Sequence, residues 1–211
     1  MLVVPIDESA PKGRLILPQQ QVIRDILEAG AVSVVVKDTE LEGVLKTLGT
    51  KPKLVVTDSQ VFSAVSEIVP EDILLTSFSI LMSRYKGTLR PTIDGVRALD
   101  NLKDGDKVLI SEGCTHHRRC QDIGTVKLPK LLQKCIGKTL EFQFASGREF
   151  PPDLSPYALV VHCGGCMLNE KEMRARQERA QAQGVPFTNY GIVLARCSGI
   201  LKRSLAVFSE F

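Results

Sequence analysis

The sequence predicts an α/β protein of two small layered domains, each a mainly parallel sheet with flanking helices. Three observations predict it. Short apolar runs recur about every 20 residues through the first half and alternate with helical patterns. These runs are apolar on both faces, as expected of strands covered by helices on each side. The 211 residues are 44% hydrophobic but only 5% aromatic, without Trp; a branched-aliphatic composition of this length suits one or two α/β domains with a real core.

In chain order, Gly13 to Leu17 is a short apolar run ended by Pro18. From Gln19 to Ala29, Val22, Ile23, Ile26 and Leu27 form one helix face, closed by Gly30. Val32 to Val36 reads as a strand, followed by a helix capped at Asp38 or Thr39 and running to Leu48. Lys53 to Thr57 is the next strand, Asp58 or Ser59 the next cap, Val61 to Ile68 the next helix, and Ile73 to Thr76 a third strand. This half holds no cysteine or histidine, and its acids Asp7, Glu8, Glu40 and Glu42 suit caps and helix surface. Assembly with a second copy is therefore its expected role. Gly87 to Asp106 is a connection, bridged by a helix from about Thr92 to Leu102.

In the second half, the strand Lys107 to Ser111 runs into Glu112-Gly113-Cys114, and the strand Ala158 to Val161 runs into His162-Cys163. Between them lie a helix from Leu128 to Cys135, with Pro129 in its first turn and Gly137 as its stop, and an alternating strand from Leu140 to Phe144. Asn169 caps a charged helix from Glu170 to Gln183, on which Arg174, Arg176 and Arg179 read as a solvated face. A short strand near Val185 to Thr188 and two apolar helices from about Tyr190 complete the chain.

Both cysteine motifs thus leave the carboxyl ends of apolar strands, where open α/β sheets form their ligand crevice. Cys114-Thr115-His116 and His162-Cys163-Gly164-Gly165-Cys166, 45 residues apart, hold three of the six cysteines and two of the three histidines. Such clustering asks for a metal. Three thiolates and one histidine make a tetrahedral zinc site; three thiolates also hold an iron–sulfur cluster with one iron left open for exchange. Gly164 and Gly165 let backbone N–H groups approach something bulky, and the helix after Asn169 directs its positive end toward the cysteines. A dithiol oxidoreductase using Cys163 and Cys166, or an unreactive surface turn, is the alternative. Cys135 and Cys197 fall in apolar helices and read as core; Cys120, Arg118 and Arg119 adjoin the first motif. Gly137-Lys138-Thr139 is not a phosphate loop, because Leu132 stands where that motif needs glycine.

The net charge is +3, with lysines and arginines scattered, so nucleic acid is not an expected partner. No run of 18 apolar residues occurs and Met1 to Pro5 lacks a signal-peptide pattern, so the expectation is a cytoplasmic chain, outside the membrane, with reduced cysteines.

The combination C-x-H, 45 residues, H-C-x-x-C, together with Ala10-Pro11-Lys12-Gly13-Arg14-Leu15-Ile16-Leu17-Pro18-Gln19 and Ser111-Glu112-Gly113-Cys114, resembles the HydF family of [FeFe]-hydrogenase maturation factors over essentially the whole chain. The resemblance implies a dimerisation domain at 1–95 and an iron–sulfur cluster-binding domain at 96–211. The family's GTPase domain is expected to be absent, because no G-x-x-x-x-G-K-[ST] occurs. A fragment or truncated form that is not itself an enzyme follows as an expectation. The resemblance further implies a [4Fe-4S] cluster on Cys114, Cys163 and Cys166, with His116 and His162 as motif histidines. It implies a homodimeric scaffold that carries a transient di-iron subcluster precursor from radical-SAM maturases to apo-[FeFe]-hydrogenase. Neighbouring strand residues point opposite ways, so His116 ranks ahead of His162 as an inner ligand; Glu112 or the cargo is the other candidate for the open iron.

Overall fold

The computed structural model describes residues 1–6, 15–113 and 123–209. The first half is ordered β1 (Leu2–Val3), α1 (Leu17–Glu28), β2 (Val35–Val36), α2 (Leu41–Thr47), β3 (Leu54–Thr57), α3 (Phe62–Ile68), β4 (Leu74–Ser77), α4 (Phe78–Tyr85) and α5 (Leu89–Val96). The second half follows as β5 (Lys107–Glu112), α6 (Leu128–Ile136), β6 (Glu141–Ser146), β7 (Leu159–His162), α7 (Glu170–Ala182), β8 (Phe187–Asn189), α8 (Tyr190–Cys197) and α9 (Leu201–Leu205). Two four-stranded sheets result, ordered β2-β1-β3-β4 and β6-β5-β7-β8, and every pairing in them is parallel. This is the α/β class the sequence predicts.

Local chemistry sets the element ends. Asp58 and Asn169 each accept a backbone N–H at a helix start, from Gln60 at 3.4 Å and Glu172 at 2.8 Å. Gly137 closes α6 at φ +65°, a left-handed conformation open to glycine. Two elements escape the sequence reading. β1 is only two residues long, yet it lies between β2 and β3 with Leu2 and Val3 fully buried; so short a run carries no periodicity. α4 follows β4 without a loop, because Ser77 ends the strand and its Oγ accepts the Ile80 N–H at 3.3 Å as the helix cap. The expected bridging helix is α5, which gives way to a 3-10 turn at Arg97–Asn101.

The two sheets share one strand order, and their last strand–helix units also match in sequence. Thr76–Leu89, TSFSILMSRYKGTL, aligns with Thr188–Leu201, TNYGIVLARCSGIL, with identities at Thr76/Thr188, Ile80/Ile192, Arg84/Arg196, Gly87/Gly199 and Leu89/Leu201. The units exchange helices. α5 of the first half lies on β8, where the Thr188 hydroxyl donates to Thr92 O at 2.8 Å. α9 of the second half lies on β4, and Arg203 donates to Ser66 O at 2.9 Å and Val69 O at 2.7 Å. α4 and α8 meet at equivalent positions, Ser79 against Gly191. A single buried cluster therefore joins Val3, Val55, Leu75 and Ile80 to Val108, Ile110, Val161 and Ile192.

At Gly95, α5 comes close against the β8 backbone: a Cβ there would stand 2.0 Å from Phe187 O and 2.9 Å from Phe187 N. Strand backbone cannot swing aside as a side chain can. Gly95→Ala is therefore expected to destabilise the protein by about 1–3 kcal/mol or more, read as a lowered urea midpoint in chemical unfolding.

Candidate metal centre

The parallel register brings together the ends of the two strands that lead into the motifs. Ser111 of β5 pairs with His162 of β7, and one residue on the Cys163 N–H donates to Ser111 O at 2.8 Å. The Gly113 N–H then reaches the Cys163 Sγ at 3.1 Å, and the Gly165 N–H reaches the same sulfur at 3.3 Å. Two amide donors on one sulfur stabilise the thiolate form that binds metal. Glycine is needed at both positions for space. A Cβ on Gly113 would lie 2.8 Å from Leu168 Cγ, and one on Gly165, at φ +62°, would lie 2.4 Å from Met173 Sδ. The Leu168 N–H closes the loop onto Gly165 O at 3.0 Å.

Cys163 and Cys166 are both half-buried in this loop. Burial pushes the Cys166 thiol up, while nearby amides and the Lys86 ammonium pull it back. Lys86 ends α4, is 5% exposed, and its Nζ donates to Leu168 O. Burial lowers the Lys86 pKa, and the charges of Cys166, Glu170 and Cys163 oppose that shift. At the end of β5, Glu112 is buried, and the Tyr190 hydroxyl donates to its Oε1 at 3.4 Å.

His162 points away from the Cys163 thiol. It is fully buried between the rings of Phe150 and Phe187, at centroid distances of 6.3 and 5.8 Å. Arg176 Nη1 donates to its Nε2 at 3.1 Å, so the proton sits on Nδ1, which donates to Cys163 O at 2.8 Å. Burial, with the Arg176 charge adding to it, pushes its pKa down to about 4. The imidazole is therefore neutral and fastens the backbone of the cysteine loop.

Arg176 corrects the reading of a solvated arginine face. Arg174 and Arg179 are exposed, but Arg176 turns inward at 3% exposure. It bonds Glu172 Oε1 at 2.8 Å and Gly147 O at 2.6 Å, and its guanidinium lies 5.1 Å from the centre of the Phe150 ring. The buried imidazole and carbonyl required a donor that a helix-surface pattern cannot reveal.

Cys114 and His116, with His117, Arg118, Arg119 and Cys120, lie outside the described residues. Among the described residues no three His, Cys, Asp or Glu side chains gather as a metal-binding group. Cys114 is the next residue after Gly113, whose amide already touches the Cys163 sulfur. The thiol chemistry and the amide-lined glycine cradle fit a thiophilic metal or cluster. Cys135 is exposed on α6, and half-buried Cys197 neighbours it on α8. Sequence reasoning passes over Lys86 and misreads Arg176 as surface; no local signal marks the role of either, because each acts on a partner distant in sequence.

Arg176→Met leaves the buried His162 Nε2 and the half-buried Gly147 O without their donor. The expected cost is about 3 kcal/mol, seen as a lowered urea midpoint, whereas Arg24→Met, which removes only an exposed pair with Glu28, is expected to change it by less than about 1 kcal/mol.

The Hydrogen maturase F dimerization domain matches residues 1–87, and the Hydrogen maturase F tetramerization domain matches residues 90–207. Among curated proteins, none matches the chain. No described helix is long and apolar enough to cross a membrane. The second family match alone covers more than half of the 211 residues, so the chain belongs to the hydrogen maturase F (HydF) family, carries its two self-association domains and has a role in hydrogenase maturation.

Proposed function

We propose that this chain is an iron–sulfur scaffold and carrier in the cytoplasmic maturation of [FeFe]-hydrogenase, with Cys114, Cys163 and Cys166 holding a [4Fe-4S] cluster. The observation that carries the reading is the pair of amide bonds to the Cys163 sulfur, from Gly113 before Cys114 and from Gly165 before Cys166. Each donor comes from the residue next to another proposed ligand. When bound, such a cluster supplies one iron without a thiolate, open to exchange.

The chain's own groups hold and orient. Gly113 and Gly165 donate to sulfur, and His162 and Arg176 lock the loop backbone from the far side. His116, Glu112 or the cargo itself completes the open position, His116 ranking ahead of His162, whose nitrogens are both engaged within the protein. The cargo is a di-iron subcluster precursor, received from radical-SAM maturases and handed to apo-[FeFe]-hydrogenase by a homodimer. The chain acts as a carrier and not as an enzyme.

Anaerobic reconstitution with iron and sulfide tests the reading. The expected result is about four irons and four sulfides per chain with a broad absorption band near roughly 400 nm. Serine at Cys114, Cys163 or Cys166 should abolish the stable cluster, and serine at Cys135 or Cys197 should leave it. One zinc per chain with no such band identifies a structural zinc site instead. Disulfide exchange that needs neither metal nor Cys114 identifies a dithiol oxidoreductase. Either result overturns the proposal.

A further inference from the structure

The cysteine loop is built by both halves of the chain. α4, in the segment matched by the dimerization domain, presents Ser79 and Lys86 two turns apart on one face. Ser79 packs against Gly164, where a Cβ would stand 3.7 Å from its own Cβ, and Lys86 Nζ donates to Leu168 O. The cation therefore ends two residues past Cys166, on a loop that folds back from Leu168 to Gly165.

Placing an ammonium at 5% exposure is costly unless charge or hydrogen bonding compensates it. Among the described residues no carboxylate forms an ion pair with Lys86; the Glu170 charge and the two cysteines favour its charged form from a distance, and its hydrogen-bond acceptor is the neutral Leu168 carbonyl. The fold does not require a lysine to end this helix. The repeated unit has Ser198 at the equivalent position of α8, with φ −88° and ψ 1° against φ −81° and ψ 0° at Lys86. The same turn thus forms without the charge. What distinguishes α4 is that its end lies on the cysteine loop. A four-iron cluster on three thiolates is anionic, and net charge and hydrogen bonding around it set its reduction potential.

We propose that Lys86 is a positioning residue of the cysteine site: it anchors the Cys163–Asn169 loop through Leu168 O and supplies the fixed positive charge that raises the reduction potential of the cluster held there. The inference rests on the cluster reading above, and its consequence is that the dimerization segment completes the metal centre.

The test compares the full chain with Lys86→Met, Lys86→Gln and Lys86→Arg. Two measurements are made: the midpoint potential of the reconstituted cluster by redox titration monitored by electron paramagnetic resonance, and hydrogen exchange in the metal-free proteins. Both neutral variants should move the potential to more negative values, because reduction adds negative charge that Lys86 no longer offsets; Lys86→Arg should stay near wild type. In the metal-free Lys86→Met protein, amides of residues 164–168 should exchange at least several-fold faster. A loss of stability alone would leave the potential unmoved. Full clusters with unchanged potential in both neutral variants overturn the charge role while the cysteine reading stands. A wild-type chain that takes up no iron overturns the cysteine reading and the charge role with it, and unchanged loop exchange overturns the anchor.

Discussion

The pairing of β5 with β7 is the constraint on which the site depends. These strands are separated by more than 40 residues of chain, yet their register sets Ser111 beside His162 at the same end of the sheet. Once the register is set, the Gly113 amide and the Cys163 sulfur stand within hydrogen-bond reach. A slip of one residue would reverse every side chain at the strand ends. It would turn Cys163 into the layer now filled by His162, Phe150 and Phe187, and the imidazole toward the crevice. Arg176 and His162 therefore act at a distance on the thiol, by holding the backbone from which it projects.

The exchange of helices between two equivalent units explains why a site in one half draws on residues of the other. α5 covers β8 and α9 covers β4, so neither sheet completes its covering with its own terminal helix. α4 and α8 meet at their matching positions, which places the side of α4 carrying Ser79 and Lys86 along the cysteine loop. Departures from the repeat coincide with the chemistry. Leu54-Val55-Val56 is matched by Leu159-Val160-Val161, but Thr57-Asp58-Ser59 gives way to His162-Cys163-Gly164. In the first half Asp58 caps a helical turn; in the second the corresponding residue is the thiol that receives two amides.

Electrostatics around the loop are divided by depth. The histidine is neutral because it is buried beside an arginine, and the surface pairs, such as Arg174 with Glu170 at 2.6 Å, are about half exposed and add little. Among the described residues, Lys86 is the buried cation on the thiol side of the loop.

Local pattern was enough for the alternation of strands and helices, the caps at Asp58 and Asn169, the stop at Gly137 and the two strands, β5 and β7, that lead toward the cysteine motifs. Each of these depends on periodicity or on one residue's backbone preference, and both are written in short stretches of chain. The central position of β1, the start of α4 at Ser77, the inward turn of Arg176 and the reach of Lys86 depend instead on long-range packing. A two-residue strand gains its stability from neighbours on both sides, and an arginine or lysine on a helix is buried only when another element brings it a partner. The sequence alone therefore names the candidate thiols and the strand ends that lead to them. The folded arrangement decides which charges and amides surround them, because those groups come from segments that meet only when the two halves pack together.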